Sequence, residues 1–491
     1  MTATLESGKD TPVTLRTLPR WYQAMFSADL LERFGFYGLQ AVLVLYAASP
    51  GGLGMDVTSA AALFGAWLAV TFTLSLPGGW LGDRVLGQRP AMLAGCGLGT
   101  VGLLFLAVPG GATGALGLCL LAVGGGLFKP NQQALVNRMF GGAKSREQGI
   151  SLMFVATQVS ALGAPVVAGF LGERVGWSAA FIACAVATAL AGARIWFAAT
   201  HFGDVGAHAV LPLDAEESRR ALRRSTVYIG LPAVVVAVLV GVGVLGATAL
   251  VSLAGLACLA TAVTGYVRLY RSCELTAADR RRLRAFLAVF LGTAAFWTIV
   301  AHSGSLLNLF ARDHVDRDVA GFLIPASWLQ AVTPLLILLL APVIAAVLPR
   351  LGRRNRVGVK FAIGLLLVGG GFVVMAVACV FAESGPVSPL WLVVVYLTAA
   401  CGEVVIAAVA VAATADVLPP QFLGRMLGLF WLFAALGGAF GSGLVRLADV
   451  VAPPVYYVGL GALALAAGTA FVLCRERLSR ALDTSPVKEK A

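Results

Sequence analysis

Long apolar segments separated by short polar stretches run along almost the whole chain. Fourteen segments between residues 26 and 473 are each close to the ~20 residues that a helix needs to cross the bilayer core. They fall in an order of six, two and six, with a polar stretch at about 200–226 before the central pair. The predicted spans are 26–48, 60–81, 91–108, 113–136, 149–171, 178–199, 227–245, 249–267, 285–310, 322–348, 357–381, 390–416, 422–444 and 454–473.

This pattern predicts an all-α polytopic membrane protein with two six-helix bundles and two extra central helices. Six plus six spans around a long linker are typical of a pseudo-twofold pair of bundles with a substrate site near the membrane midplane. The uncharged central pair has no polar face, so we expect a lipid-facing hairpin that is dispensable for chemistry. The expected divisions are a cytoplasmic N-terminus (1–25), a first bundle (26–200), a cytoplasmic linker with the extra helices (201–284), a second bundle (285–474) and a cytoplasmic tail (475–491).

Composition and charge place these spans in a bilayer. The chain is 59% hydrophobic and 12% charged, whereas a soluble protein of 491 residues would need more charge to cover its surface. The net charge of +12 could indicate a protein that binds nucleic acid. However, Lys and Arg concentrate in alternate loops, as the positive-inside rule describes for membrane proteins. We therefore predict both termini on the cytoplasmic side of the cell (inner) membrane and no nucleic-acid partner. The Arg residues that fall on the other side are Arg174, Arg312, Arg317 and Arg446.

No sequence motif indicates an enzyme, a metal site or a cofactor. The eight cysteines form no CxxC pair, and neither HExxH, GxSxG nor a Walker A sequence occurs. The chain is therefore expected to be neither an enzyme nor an ATP-driven pump. The polar N-terminal stretch leads into a full-length span, so we expect the first helix itself to act as the insertion signal.

Five charged residues lie well inside the apolar segments, away from the ends of the predicted helices. The acids are Asp29, Glu32 and Glu403, and the bases are Arg33 and Lys129. Each would cost about 2.5–3.5 kcal/mol at the bilayer centre, which favours a wet pathway over a passive role. Fully ionised, the set carries one net negative charge, which one bound proton or one substrate ammonium would neutralise. An ion-coupled carrier fits this set; a structural ion-pair network that locks the first helix is the alternative.

Several stretches resemble one transporter family over nearly the whole chain. They are DLLERFGFYG at 29–38, GGGLFKPN at 124–131, FW at 296–297, GS at 304–305, IPASWLQ at 324–330, LW at 390–391 and GE at 402–403. They are similar to motifs of the proton-dependent oligopeptide transporter family of the major facilitator superfamily, with Asp29 replacing the first Glu of the family's ExxER motif. The stretch GGWLGDRVLGQR at 78–89 resembles the signature cytoplasmic loop of that superfamily and implies gating by Asp83 and Arg84.

The resemblance implies uptake of di- and tripeptides driven by a proton gradient, by a chain expected to be a monomer in the bilayer. Lys129 would neutralise the first-helix acids or meet the peptide carboxylate, and Glu403 would meet the peptide amine. The implied proton-coupling residues are Asp29, Glu32, Arg33, Lys129 and His302. The implied substrate-binding residues are Tyr37, Gln40, Lys129, Gln158, Trp297, Thr333, Glu403, Phe430 and Trp431.

Some family positions carry other residues here. The family's seventh-helix Glu falls on Ala301, followed by His302 in place of Gln, and a first-helix Arg falls on Gln40. The family's substrate-contacting Asn positions fall on Gln158 and Thr333. One interpretation moves the proton switch to the first-helix cluster with His302 as helper; His302 as a hydrogen-bonded packing residue is equally open. The alternative function is transport, including export, of a modified peptide or non-peptide metabolite with altered or absent proton coupling.

Overall fold

A computed structural model describes residues 18–140, 143–210, 212–242, 244, 246–347, 357–419 and 422–482. Most of the predicted N-terminal segment and the end of the predicted tail lie outside these residues. The helices are α1 (Arg20–Ala48), α2 (Val57–Leu81), α3 (Gln88–Ala107), α4 (Gly111–Met139), α5 (Ala143–Phe170), α6 (Trp177–Phe197), α7 (Ala199–Phe202), α8 (Ala215–Ser225), α9 (Leu231–Gly241), α10 (Ala247–Tyr270), α11 (Ala277–Val300), α12 (Leu306–His314), α13 (Val332–Val347), α14 (Val357–Ala382), α15 (Leu390–Asp416), α16 (Leu423–Leu444) and α17 (Pro453–Leu482).

Each of the fourteen predicted spans overlaps a helix in the described part of the chain. In the described part of the chain, twelve helices are long and apolar enough to cross a membrane. The two predicted spans outside this set lie on α9, which is short, and on α15, whose apolar part is described from Leu390 to Ile406.

The predicted start of the span 322–348 was wrong. Residues Asp318–Val319 (β1) and Phe322–Leu323 (β2) form an antiparallel ribbon, so the helical structure begins at Ala326 and not at 322.

The described contacts divide the chain into two compact units. The first unit comprises 1–56 and 70–249. In it, α1 packs against α5 and α6, and α3 packs against α4 and α6. Small residues permit these close approaches: a side chain on Gly35 would collide with Thr188 of α6. The result is a tight bundle that buries the middle of α1.

The second unit comprises 57–69 and 250–491. Here α14 packs against α15 and α17, while α11 packs against α16 and α17. The predicted span 285–310 is not one continuous helix, because a 3-10 turn at Ala301–Gly304 separates α11 from α12. The first part of α2 belongs to this unit, where Thr58 donates a hydrogen bond to Asp449.

The central pair of helices is divided between the two units. In the first unit, α9 packs against α4. In the second, α10 turns Cys258 and Gly265 toward Leu432 and Leu429 of α16. Residues such as Leu256 on the other side of α10 are exposed. Each helix thus has a packed side and an apolar outer side, and the boundaries expected for the linker and the bundles remain predictions.

Candidate functional site

Glu32 and Arg33 form a buried two-point ion pair on α1. The Nε atom of Arg33 lies 2.6 Å from Oε2 of Glu32, and its Nη2 atom lies 2.7 Å from Oε1. Both side chains are 8% exposed, and the guanidinium also lies over the ring of Phe36, 4.5 Å from its centroid. A bidentate pair of this kind has the strongest geometry available to a guanidinium and a carboxylate. Arg33 is therefore fully engaged by its neighbour.

Asp29 has a separate cation, which comes from α4. The Nζ atom of Lys129 lies 2.9 Å from Oδ1 of Asp29, and the hydroxyl of Thr157 donates to Oδ2 at 3.3 Å. Asp29 is fully buried, whereas the Lys129 side chain is 26% exposed. The shorter acid at the first position of the motif thus still reaches a cation, and Thr157 is a contact that the sequence analysis missed.

The local sequence of α4 explains how Lys129 is placed. Pro130 has no backbone N–H, so it cannot donate a hydrogen bond to the carbonyl of Gly126. Helix α2 approaches the same carbonyl so closely that a side chain on Gly78 would collide with it. The amide of Asn131 donates to the carbonyls of Gly78 (3.0 Å) and Leu127 (2.8 Å). Asn131 thus ties α4 to α2 beside Lys129. Asn131 belongs to the GGGLFKPN motif, but no pattern in the sequence assigns it a role.

Three predicted substrate residues lie near this cluster in the first unit. Tyr37 and Gln40 are half-buried and follow Arg33 by one and two helical turns, so they share its face of α1. Gln158 is 5% exposed and comes directly after Thr157 on α5, which packs against α1. Tyr37 and Gln40 thus share one face of α1 with Arg33, and Gln158 is buried on a helix that packs against α1.

Glu403 occupies a different setting in the second unit. It lies half-buried on α15, after Gly402, whose missing side chain leaves room for the ring of Phe296 and for Gly364. Trp297 stands edge-on to Phe296, with 6.1 Å between ring centroids. Within the described part of the second unit, Glu403 makes neither an ion pair nor a hydrogen bond. Its carboxylate is available to a ligand.

The remaining predicted substrate residues also belong to the second unit. The hydroxyl of Thr333 on α13 is buried and has no hydrogen-bond partner among the described residues. Phe430 is 2% exposed and Trp431 is 39% exposed, and their rings meet edge to face. Of these two aromatic residues, Trp431 has the more exposed ring.

His302 is held on both ring nitrogens. Its Nδ1 lies 2.9 Å from the carbonyl oxygen of Thr298, and its Nε2 lies 2.7 Å from the hydroxyl of Tyr456. A carbonyl only accepts, so Nδ1 carries a proton, and Nε2 accepts from the Tyr456 hydroxyl when the ring is neutral. The fully buried ring has a hydrogen-bond partner on each nitrogen, a geometry that favours packing over proton transfer. Tyr456 is a partner that sequence reasoning could not identify.

Asp83 and Arg84, the predicted gating residues, have different partners. Asp83 accepts a hydrogen bond from Nε2 of Gln88 at 2.8 Å, and Oε1 of Gln88 accepts one from Arg138 at 2.7 Å. Among the described residues, Arg84 is engaged through its backbone, with its carbonyl accepting from Leu213 N at 3.2 Å. Asp83 is thereby linked to the end of α4 through Gln88, a fully buried side chain that the sequence analysis did not select.

No group of three or more metal-ligating side chains occurs among the residues that the structure describes. The eight cysteines are free thiols in this structure.

Comparison with known proteins gives matches across nearly the full chain. A model of the POT family matches residues 97–458. The peptide transporter YePEPT of Yersinia enterocolitica subsp. palearctica is 30% identical over 86% of this chain and 86% of its own length. A di-/tripeptide transporter of Lactococcus lactis subsp. cremoris is 25% identical over 93% of this chain and 95% of its own. The crystal structure of a peptide transporter, POT, in complex with sulfate matches with a TM-score of 0.88 and 31% identity, covering 94% of this chain and 96% of that one.

Proposed function

Since this chain belongs to the POT family, we propose that it is a secondary active transporter that carries small peptides or peptide-like molecules together with protons by alternating access. The chain is a multi-pass membrane transporter and not an enzyme. Its fold class is the predicted one: an all-α protein of the major facilitator type. The cell membrane, cytoplasmic termini and a monomeric state belong to the proposal.

The observation that carries the proposal is the contrast between paired and unpaired acids in the membrane spans. Asp29 and Glu32 each have a cation in the first unit, whereas Glu403 has none among the described residues of the second. A carboxylate without a cation suits the ammonium of a peptide, because it gains a charge-assisted hydrogen bond only when the ligand is present. Lys129, which is partly exposed, would meet the peptide carboxylate.

The other roles follow the same division. The ion pairs of Asp29, Glu32, Arg33 and Lys129 form the proton-coupling cluster, since protonation of an acid would release its cation. Tyr37, Gln40 and Gln158 in the first unit, and Trp297, Thr333 and Trp431 in the second, complete the substrate contacts, with Phe430 supporting Trp431. Asp83 acts in gating through Gln88.

Uptake of a labelled dipeptide into proteoliposomes, with and without an inward proton gradient, tests the proposal. Accumulation that needs the gradient supports it. Two results together would favour the second candidate, transport of a modified peptide or other metabolite. Dipeptide uptake would be independent of the proton gradient, and a competing non-peptide compound would be accumulated. That candidate is supported by Gln40, Ala301 and Thr333, which differ from the family's residues at substrate and proton positions.

A further inference from the structure

We propose that Glu403 is a substrate-dependent proton site, so that the number of protons carried depends on the amino terminus of the substrate. A substrate with a free ammonium would neutralise Glu403 itself, whereas an N-blocked substrate would travel with one additional proton on this carboxylate. The inference rests on the proposed function and deepens it, because it sets the coupling ratio for two classes of peptide.

The distribution of charge between the two units carries this inference. In the first unit, Asp29 pairs with Lys129 at 2.9 Å and Glu32 pairs with Arg33 at 2.6 Å. Each of these two ion pairs is neutral. The net negative charge of the five intramembrane groups therefore resides on Glu403. An uncompensated charge in a membrane span is costly, so the carrier is expected to change conformation only when that charge has been neutralised.

The side chains around Glu403 supply no cation that could do this. Within the second unit, α15 packs against α11, α13, α14 and α16. The described part of α13 carries no charged side chain, and α16 carries Arg425, which is exposed and lies over the ring of Phe422. Lys360 of α14 lies one turn before Gly364, which contacts Gly402, but it forms no ion pair with Glu403.

The remaining titratable groups are also unsuited to the task. Asp279 and the Arg residues at 280–284 lie in the first two turns of α11, far along that helix from Phe296 and Gly402. His302 uses both ring nitrogens, as described above. Cys401 and Tyr396 on α15 itself are neutral when protonated and cannot compensate an anion. In the described part of the second unit, therefore, no fixed cation neutralises Glu403, and a proton or a ligand cation can take that place.

The two substrate classes differ by one charge at this position. A dipeptide ammonium donates to the Glu403 carboxylate, and the pair is neutral without a further proton. An N-acetyl group brings no charge, so the carboxylate takes a proton from the aqueous phase and its O–H donates to the acetyl oxygen. Both substrates end in the same carboxylate, so any protons taken up at the first-helix cluster are common to both.

The test measures proton number for one matched substrate pair, L-Ala-L-Ala and N-acetyl-L-Ala-L-Ala. The full chain is reconstituted in proteoliposomes, and the proton-to-substrate ratio is obtained from the membrane potential that balances a set proton and substrate gradient. Proton uptake on binding is measured in parallel by calorimetry in two buffers of different ionisation enthalpy. We expect one more proton with the N-acetyl substrate in both measurements.

Glu403→Gln tests whether this residue is the site. Its neutral amide should remove the extra proton for the N-acetyl substrate and weaken binding of the free dipeptide by about tenfold or more, since a charge-assisted hydrogen bond is lost. Glu383→Gln, at an exposed acid of the same unit, is the matched control and should change neither quantity.

Three results would overturn the inference: equal proton numbers for the two substrates, an unchanged extra proton in Glu403→Gln, or failure of the N-acetyl substrate to bind. Absence of uptake and binding for both substrates in the unmodified chain is a distinct result, because it contradicts the proposed function itself.

Discussion

The Nζ atom of Lys129 lies 2.9 Å from Oδ1 of Asp29 and joins α4 to α1 through a carboxylate that is fully buried. Thr157 adds a hydrogen bond from α5 to the same carboxylate. Three helices of the first unit therefore meet at one ion pair. A change in the protonation of Asp29 would alter the contact between all three.

Lys129→Ala should abolish gradient-driven uptake while leaving insertion into the membrane intact. Removal of one partner from a buried ion pair leaves an uncompensated charge, which costs about 3–5 kcal/mol. The measurement is initial uptake of labelled dipeptide, with thermal unfolding in detergent as a second readout. The double variant Asp29→Asn, Lys129→Ala should recover stability without recovering uptake, and Lys360→Ala serves as the control for removal of an unpaired lysine. Unmodified uptake by a folded Lys129→Ala variant would contradict the proposed role.

Glu32→Gln should separate proton coupling from substrate movement. The amide cannot hold the Arg33 guanidinium by two charge-assisted bonds, and it cannot take up a proton. We expect uptake driven by a proton gradient to be lost and exchange of labelled for unlabelled substrate at equal concentrations to continue. Both rates are measured on the same proteoliposomes. If gradient-driven uptake persists, the Glu32–Arg33 pair is structural only.

The pairing in this cluster shows where sequence reasoning reached its limit. Glu32 and Arg33 are adjacent on a helix, and adjacent residues do not face one another, so the sequence favoured no pair between them. The flexible Arg33 side chain nevertheless turns back onto its neighbour. The apolar segments were sufficient to predict the fold class, because a bilayer restricts spanning structures to helices or closed barrels. The choice of ion-pair partners depends on side-chain conformations that no spacing rule specifies.

Contacts between residues far apart in the chain could not be predicted from the sequence either. Nothing in the sequence around His302 identifies Tyr456, which is 154 positions away, as the hydrogen-bond partner of its ring. The same holds for the division of the central helices between the two units, since α9 and α10 have similar apolar sequences. Such contacts arise only when the helices are packed.

Tyr456→Phe and His302→Gln should lower stability and leave the pH profile of uptake unchanged. Each removes one side of the 2.7 Å contact between His302 Nε2 and the Tyr456 hydroxyl, at a cost of about 1–3 kcal/mol for a buried unpaired group. Uptake is measured from about pH 5 to 8, the range in which an unperturbed histidine titrates. A shift of the profile in His302→Gln would assign His302 to proton transfer and overturn the packing interpretation.

Gln88→Leu should slow net uptake more than exchange. The apolar side chain of similar size breaks the link from Asp83 to Arg138 and leaves both charged groups without their buried partner. If this link holds α3 and α4 together at the gating loop, the step that returns the empty carrier is the one affected. Gln133→Leu, at an exposed position of α4, is the control. Equal slowing of net uptake and exchange would instead indicate a general loss of folded protein.

The packing of α10 against α16 allows a test of whether the central pair of helices is dispensable. A side chain built on Gly265 would lie 3.1 Å from Leu429, the neighbour of Phe430 and Trp431 on α16, whereas one on Gly255 would meet nothing within 4 Å. Gly265→Leu should therefore overpack this contact by about 1–3 kcal/mol and reduce uptake, and Gly255→Leu, one further glycine of the same helix, should leave uptake unchanged. Initial uptake rates and thermal unfolding of both variants give the comparison. Equal rates in the two variants would mean that α10 can move away from α16 without effect, as expected of a hairpin that only faces lipid.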